Sequence, residues 1–389
     1  MKTLLVNHVY YGPVGHVVEA LKFSRGFHES NSGLEIHVAL NRDSPTELAG
    51  ACPWIKKTYP IDIFEVLEKN VDARCLRQLP REWDYIVTDT RVQHDIARAR
   101  ELGSYDLALG NYLRVSERLF TASKGKGALY SAETEPNYSR RAKLSFLDGL
   151  GYRLDAKVEI PIPQRAISFA RRLNHNDLKV CILLGGSGGY RSYPAIETWL
   201  KIIRALNESI PDLRIYLTGV GKSEKGRSAT SGYTESHIRK VLKSFRNVVD
   251  CYDIGLWNQL AIVKQSDVFV SPHTGFGFLA PCVGTPWLTI SGGDWPEYFF
   301  NHVPFYSVLP DDPTYPNRGD ARPRRQKGRP LRGRDTDPKR LEKKIPEIVE
   351  ATRLLMSESF TYEDAWKKHR QNIQDANVRR DRLYMEPVF

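Results

Sequence analysis

Residues 266–293 read SDVFVSPHTGFGFLAPCVGTPWLTISGG, and this stretch decides the fold of the chain. An apolar run at 268–270 is followed by a glycine-containing turn at 273–277, a short apolar segment at 278–283, a Gly-Thr-Pro turn and a second apolar run at 287–290. The pattern predicts a strand, a turn, a short helix and a strand, which together form one βαβ unit. Such a unit places backbone N–H groups at one edge of a parallel sheet, where an anionic ligand such as phosphate binds.

A second glycine-rich loop, Gly-Gly-Ser-Gly-Gly at 185–189, follows an apolar run at 180–184. Strand and helix patterns alternate at short spacing between the two loops, which predicts a parallel sheet flanked by helices. The predicted strands span 213–217 and 248–252, and the predicted helices span 193–207, 235–245 and 256–264.

The N-terminal half opens in a similar way, with an apolar run at 3–7, a loop that holds Gly12, Pro13 and Gly15, and a helical pattern at 14–23. This order of elements is typical of the start of a doubly wound α/β unit. Further strands are predicted at 35–40, 54–61, 84–88 and 105–109, helices at 92–102 and 112–123, and a break in the chain at 125–127.

The chain is therefore predicted to be an α/β protein with two Rossmann-like, doubly wound domains that face each other across a cleft. We assign residues 1–165 to the first domain and 166–344 to the second, with an interdomain linker rich in Pro, Arg and Asn at 155–177. Residues 345–389 are expected to form closing helices that pack back on the first domain. A length of 389 residues suits two hydrophobic cores.

The composition is that of an ordinary soluble protein, with 41% hydrophobic and 26% charged residues. The five cysteines form no C-x-x-C pair, so we expect free thiols in a reducing compartment and no disulfide or zinc framework. No stretch approaches the roughly 18 apolar residues of a membrane span, and the first apolar run is too short for a signal peptide. A cytoplasmic protein is therefore expected. The net charge of +11 favours an anionic partner.

The two-domain arrangement resembles the GT-B glycosyltransferases, and residues 180–293 resemble one branch, the ADP-heptose heptosyltransferase family. That family carries a Gly-x-Ser loop followed by a basic residue, an aromatic residue and a proline, which here are Gly185-Gly186-Ser187, Arg191, Tyr193 and Pro194. It also carries an Asp-Thr-Gly turn and a Gly-Thr-Pro turn, as residues 267–292 do with one change. His273 stands where the family has the Asp, Phe278 where it has a His, and Arg191 where it usually has Lys.

The N-terminal loop reads Gly15-His16-Val17 and is similar to the Gly-His loop of lipid II N-acetylglucosaminyltransferase and of plant and antibiotic glycosyltransferases. The resemblance implies that His16 is the catalytic base, and an imidazole suits proton removal near neutral pH. Asp89, at the end of a predicted strand, is the acid expected to orient it. The alternative is that His16 only caps or packs the first helix.

The resemblance implies a site for a donor diphosphate on the second domain. Its predicted residues are Gly185, Gly186, Ser187, Gly188 and Arg191 from one loop, and His273, Thr274 and Gly275 from the facing turn. A charge-assisted contact from an arginine would stabilise the negative charge of the leaving diphosphate. A plain glycine-rich turn and a core histidine are the alternatives.

Three further residues are candidate donor contacts. Asp294 and Glu297 are expected to bind ribose or sugar hydroxyls, unless they are only acids at a helix N-terminus. Trp257 is a candidate to stack on the nucleotide base, and a core position is its alternative. No D-x-D metal motif is well placed, and GT-B enzymes usually need no metal, so no metal or other cofactor is expected.

The sequence thus predicts an inverting, metal-independent glycosyltransferase that moves a sugar from a nucleotide-diphosphate sugar to a hydroxyl acceptor, such as a surface glycan, a lipid-linked sugar or a natural product. A nucleotide-sugar 2-epimerase, a nucleic-acid binder or DNA-modifying enzyme, and an inactive GT-B scaffold are the alternatives. The segment 318–344 holds 12 Lys or Arg and 4 Asp or Glu. It is expected to be a solvated loop or to dock on an anionic acceptor, the inner face of a membrane or nucleic acid.

Overall fold

The computed structural model describes residues 1–9, 13–69, 72–80, 82–89, 124–130, 150–173, 178–186, 193–223, 227, 230, 232–291, 297–316 and 338–387. These residues form two parallel sheets with helices beside them, which confirms the predicted α/β class and the two Rossmann-like units.

The first sheet has the strand order β3-β2-β1-β4-β5, and all of its neighbouring strands are parallel. Helix α1 packs on β1 and β2 because its apolar side, which includes Val17, Val18 and Leu21, is buried there. The strands are β1 (Lys2–His8), β2 (Leu34–Asn41), β3 (Ile55–Ile61), β4 (Glu82–Asp89) and β5 (Lys124–Tyr130). The helices are α1 (Val14–Ser30), α2 (Glu47–Ala51), α3 (Ile63–Lys69) and α4 (Arg74–Arg77).

Strand β5 corrects the prediction of a chain break at 125–127. Gly125 and Gly127 both lie inside the strand and pair with Trp83 and Ile86 of β4. A glycine weakens a strand by only about 0.5–1 kcal/mol, which the pairing with β4 on both sides of a register shift outweighs. The helices predicted at 92–102 and 112–123 and the strand predicted at 105–109 lie outside the described residues.

The second sheet has the order β11-β10-β9-β6-β7-β8 and is also parallel throughout. Its strands are β6 (Leu178–Leu183), β7 (Leu213–Gly219), β8 (Val248–Tyr252), β9 (Val268–Pro272), β10 (Trp287–Ile290) and β11 (Phe305–Val308). The helices are α5 (Gln164–Arg172), α6 (Ile196–Ser209), α7 (Glu235–Ser244), α8 (Leu256–Lys264) and α9 (Leu279–Cys282). The unit β9–α9–β10 is the βαβ unit predicted from residues 266–293.

The predicted linker at 155–177 contains a helix, because α5 occupies its middle. Ala166 and Ala170 are buried on one side of α5, which packs against α8. The extended chain before α5 is also hydrogen-bonded to the second domain. Asn301 accepts from the Val158 N–H at 2.8 Å and donates to the Val158 carbonyl at 2.6 Å. The sequence pattern did not predict α5 because arginines occupy its exposed side.

Helix α10 (Pro338–Leu341) lies at the end of the segment 318–344, which was predicted to be a loop, and the closing helices are α11 (Ile345–Leu355) and α12 (Tyr362–Asp375). Their described contacts are with the second sheet and its helices, and packing on the first domain stays a prediction. Helix α11 packs on α6, β10 and β11, and α12 packs on β11, where Trp366 meets the Phe305 ring edge-on at 5.0 Å. Within the described ranges, none of the helices combines the length and apolar character needed to cross a bilayer.

Candidate functional site

Each sheet has a point where its strand order changes direction, and the candidate site lies where these two points face each other. In the first sheet this point lies between β1 and β4, and in the second between β6 and β9. Ligands of open α/β sheets bind beyond the carboxyl ends of the strands at such points. His8 ends β1 and Asp89 ends β4, while Gly185 and His273 follow β6 and β9.

The turn after β1 touches the turn after β9, backbone against backbone. A Cβ atom placed on Gly275 would lie 2.9 Å from the Gly15 nitrogen, and a Cβ atom on Gly15 would lie 3.1 Å from the Gly275 Cα atom. Both positions therefore need glycine for the two turns to come this close. The contact places His16, the next residue of the first turn, beside the predicted donor turn.

The start of the Gly-x-Ser loop joins the same place from β6. A Cβ atom on Gly186 would lie 3.0 Å from the Thr274 Cγ2 atom, so this loop also packs against the turn after β9. Gly185 packs on Tyr193 at the far end of the loop, where its own Cβ would be 2.7 Å from the ring. Three turns from three strands thus converge. The predicted phosphate-binding residues Ser187, Gly188 and Arg191 lie outside the described residues.

His16 lies in the first turn of α1 and is held by an acid that the sequence argument missed. Its Nδ1 is 2.8 Å from the Glu19 Oε2 atom. A carboxylate only accepts hydrogen bonds, so His16 Nδ1 carries the proton and Nε2 is the nitrogen able to take another. The spacing of three residues on the predicted helix was the available signal for this pair. Asp89 stays a prediction because its side chain is outside what the structure describes.

His8 completes a group of three on the first domain. It is the last residue of β1, is 2% exposed, and its Nε2 is 3.7 Å from the same Glu19 oxygen. The His8 and His16 ring centroids are 6.4 Å apart. The only sequence signal for His8 was its position just after the predicted first strand, at the edge where ligands bind.

His273 lies in the turn after β9 on the second domain and is partly buried. Its Nδ1 is buried without a hydrogen-bond partner in the described part of the chain and lies 3.9 Å from the Glu297 Oε1 atom. Its ring meets the Phe278 ring edge-on at 5.4 Å. Burial lowers the pKa of His273 to about 4. The imidazole is therefore neutral at physiological pH and offers a ligand a hydrogen bond without charge.

Glu297, a predicted contact of ribose or sugar hydroxyls, is buried in the second domain. The residue is only 3% exposed, and its carboxylate accepts from Tyr315 at 2.9 Å and from Thr289 at 3.3 Å. Burial raises the pKa of this carboxyl group. The described hydrogen bonds of this carboxylate are to protein hydroxyl groups, and its contact with a sugar hydroxyl stays a prediction. Asp294 lies outside the described residues.

The structure also describes two other predicted ligand contacts, Thr274 and Trp257. The Thr274 hydroxyl accepts from the Gly277 N–H at 3.0 Å, so it closes the turn, and the residue is 5% exposed. Trp257 lies in the first turn of α8 and is partly buried against the core. Base stacking by Trp257 stays a prediction.

Structural comparisons place the fold among glycosyltransferases. A glycosyl transferase family 9 protein from Veillonella parvula matches with a TM-score of 0.58 and 11% identity, over 92% of this chain and 98% of that one. The Escherichia coli ADP-heptose LPS heptosyltransferase II matches with a TM-score of 0.51 and 11% identity, over 90% of this chain and 99% of that one.

A UDP-GlcNAc 2-epimerase from Neisseria meningitidis matches with a TM-score of 0.40 and 12% identity, over 75% of this chain and 82% of that one. No family model matches the sequence, and no curated protein matches it. At these identities the two glycosyltransferase matches show the fold alone, which is the GT-B fold with two Rossmann-like domains.

Proposed function

We propose that this protein is an inverting, metal-independent glycosyltransferase that moves a sugar from a nucleotide-diphosphate sugar to a hydroxyl group. The contact between Gly15 and Gly275 carries the proposal. It brings the His16–Glu19 pair of one domain against the strand ends of the other, where a donor phosphate would bind. Base and donor site then share one cleft, as a direct displacement requires.

In this mechanism His16 Nε2 removes the proton from the acceptor hydroxyl as its oxygen attacks the anomeric carbon. The bond to the diphosphate breaks on the opposite face, so one displacement inverts that carbon. Glu19 receives the Nδ1–H bond, fixes the ring and stabilises the imidazolium that forms. The base and the carboxylate that orients it are thus two side chains of one helix, α1.

The second domain holds the leaving group. Backbone N–H groups of the turns at Gly185, Gly186 and Gly275, beyond the ends of β6 and β9, would donate hydrogen bonds to a diphosphate. Neutral His273 supplies a hydrogen bond, and the sequence assigns the balancing positive charge to Arg191. Donors positioned in advance stabilise the charge that develops on the leaving oxygen.

The first test is a binding panel of UDP, dTDP, GDP, ADP and CMP, followed by calorimetry and thermal shift. The panel includes ADP because the Escherichia coli neighbour is named for an ADP-heptose donor. One diphosphate should bind, and Arg191→Ala should weaken it. If no nucleotide binds, the glycosyltransferase proposal fails.

The second test asks whether His16 acts as the base or as part of the donor site. His16→Ala should lower kcat by about 10²–10⁴, the usual share of general base catalysis, while donor affinity stays nearly unchanged. Glu19→Gln should lower kcat less, because glutamine can still accept the Nδ1–H bond but lacks the charge. Loss of donor binding in His16→Ala would place that residue in the donor site. Donor turnover without acceptor would favour the 2-epimerase alternative.

A further inference from the structure

Three side chains of the first domain point a ligand atom at a common place. Each side chain offers one such atom, an imidazole nitrogen from His8 and from His16 and a carboxylate oxygen from Glu19, and the three atoms all lie within 4.8 Å of one another. In the described part of the chain, no other group of three His, Cys, Asp or Glu side chains is arranged in this way. Two imidazoles and one carboxylate form a donor set that first-row transition ions favour.

The distances suit a tetrahedral ion. Zinc lies about 2.0–2.2 Å from nitrogen and oxygen ligands, which places two tetrahedral ligands roughly 3.4 Å apart. The Glu19 Oε2 atom is 2.8 Å from His16 Nδ1 and 3.7 Å from His8 Nε2, one below this separation and one above it. Both of these atom pairs are therefore close to the separation that a tetrahedral ion needs.

Burial and access also fit one ion. The His8 side chain is 1% exposed and forms the rigid back of the group, while the His16 side chain is 31% exposed and forms its open side. An ion can enter past His16, and a water can fill the fourth position on that side. The single carboxylate offsets half the charge of a divalent ion, and the two neutral imidazoles supply the other protein ligands.

We propose that His8, His16 and Glu19 bind one divalent transition ion of the zinc class, and that the bound ion switches off His16 as a base. The second half of this statement rests on the proposed function. Coordination uses the lone pair of His16 Nδ1, so the single proton of the neutral ring moves from Nδ1 to Nε2. That nitrogen then donates a hydrogen bond and cannot accept the acceptor's proton.

Cysteines do not compete for the ion. All five are free and buried, and burial raises the pKa of each thiol, so the thiolate that binds zinc is disfavoured. These thiols are Cys52, Cys75, Cys181, Cys251 and Cys282.

Calorimetric titration of the full chain with zinc chloride tests the site without any substrate. We expect one zinc per chain and no comparable binding of Mg²⁺, because imidazole does not suit Mg²⁺. Glu19→Gln and His8→Gln should each weaken zinc affinity by more than the roughly 10–100-fold that loss of an outer-shell partner costs. Zinc binding that both variants retain, or no binding by the wild type, would overturn the proposal.

His302→Asn is the matched control. His302 is exposed, belongs to no part of the group, and has a left-handed backbone (φ 57°) that asparagine tolerates. This variant should bind zinc as the wild type does. Thermal unfolding of each variant shows whether it is folded. Because His8 is buried, His8→Gln is the variant whose folding is more at risk, and Glu19→Gln then tests the site by itself.

Activity assays then test the switch. Zinc at stoichiometric occupancy should abolish sugar transfer, and a chelator should restore it. Full activity with zinc bound would overturn the switch. Stoichiometric zinc binding by a protein that binds no nucleotide would refute the proposed function and leave the metal site standing.

Discussion

The two imidazole–carboxylate pairs of the candidate site have opposite surroundings. His16 and Glu19 are 31% and 16% exposed at the side chain, so solvent reaches the pair and can exchange its protons. His273 and Glu297 are 22% and 2% exposed, and the carboxylate is enclosed by hydroxyl groups. A pair open to water suits proton transfer, whereas an enclosed pair suits a fixed hydrogen bond to a ligand.

Glu297→Gln should remove a pH-dependent loss of stability. Because burial raises the Glu297 pKa above 4.5, the unfolded chain releases this proton first as the pH rises. Stability from this group is therefore complete below pH 4.5 and is lost as the pH rises through the folded-state pKa. We expect the variant to gain stability relative to the wild type between pH 4.5 and neutrality, by about 1.4 kcal/mol per unit of pKa difference.

Urea unfolding of both proteins at several pH values measures this effect. Glu208→Gln, at an exposed position of α6, is the control and should show no such gain. A constant stability difference between Glu297→Gln and the wild type across this range would show that Glu297 ionises normally in the folded protein.

Turns, more than helices or strands, build the cleft. The turn from β1 to α1 and the turn from β9 to α9 meet at two glycines, and the loop after β6 packs on the second turn through Gly186. Each turn is fixed by the strand before it, because parallel strands end at one edge of the sheet. Shifting one turn therefore shifts the base relative to the donor site.

Gly275→Ala should disturb both stability and donor binding. Its Cβ would lie 2.9 Å from the Gly15 nitrogen, a backbone atom that moves only with its whole turn. Overpacking of this kind typically costs about 1–3 kcal/mol. We expect an unfolding free energy lower by about that amount, together with weaker binding of the nucleotide that the panel identifies.

Gly50→Ala is the control for this change. Gly50 lies in α2, and no atom lies within 4 Å of the position that an alanine Cβ would take there. Alanine at this position should be neutral or stabilise by up to about 1 kcal/mol. If Gly275→Ala is as stable as the wild type, the two turns are apart in solution.

The two domains are held together by buried polar contacts as well as apolar ones. Lys22 of α1 donates to the Ala156 carbonyl of the linker at 2.5 Å and lies over the Phe300 ring of the second domain, 5.5 Å from its centroid. The residue is 6% exposed, and burial lowers its pKa to about 8. A buried ammonium thus lies where the first domain, the linker and the second domain meet.

Lys22→Met should change how stability varies with pH across the alkaline range. Between pH 8 and 10.5 the unfolded chain holds this proton while the folded chain has released it, so wild-type stability rises with pH. A shift of this size is worth about 3 kcal/mol at most. Methionine removes the titration, so the stability of the wild type relative to the variant should increase by up to that amount.

Denaturant unfolding at pH 8, 9 and 10 gives this difference directly. Solution scattering of the Lys22→Met variant also shows whether the two domains stay in contact. An unchanged stability difference over this pH range would mean that Lys22 is solvated and that the domain contact differs in solution.

The sequence by itself determined most of the fold. The βαβ unit at 266–293, both glycine-rich turns and the two doubly wound halves follow from apolar runs, glycine positions and helical spacing. These signals are local, since periodicity and backbone freedom act within a few residues. For the same reason the sequence placed His16 at the start of the first helix and His273 and Gly275 in the turn after a strand.

Only the tertiary structure decided which residues meet. It brought Gly15 to Gly275 and His8 to Glu19, and it enclosed Glu297, which the sequence placed among the ligand contacts. It also set α5 on the second domain and the closing helices on the second sheet. Burial and charge partners depend on contacts between distant parts of the chain, and these emerge only when both sheets and the linker are packed together.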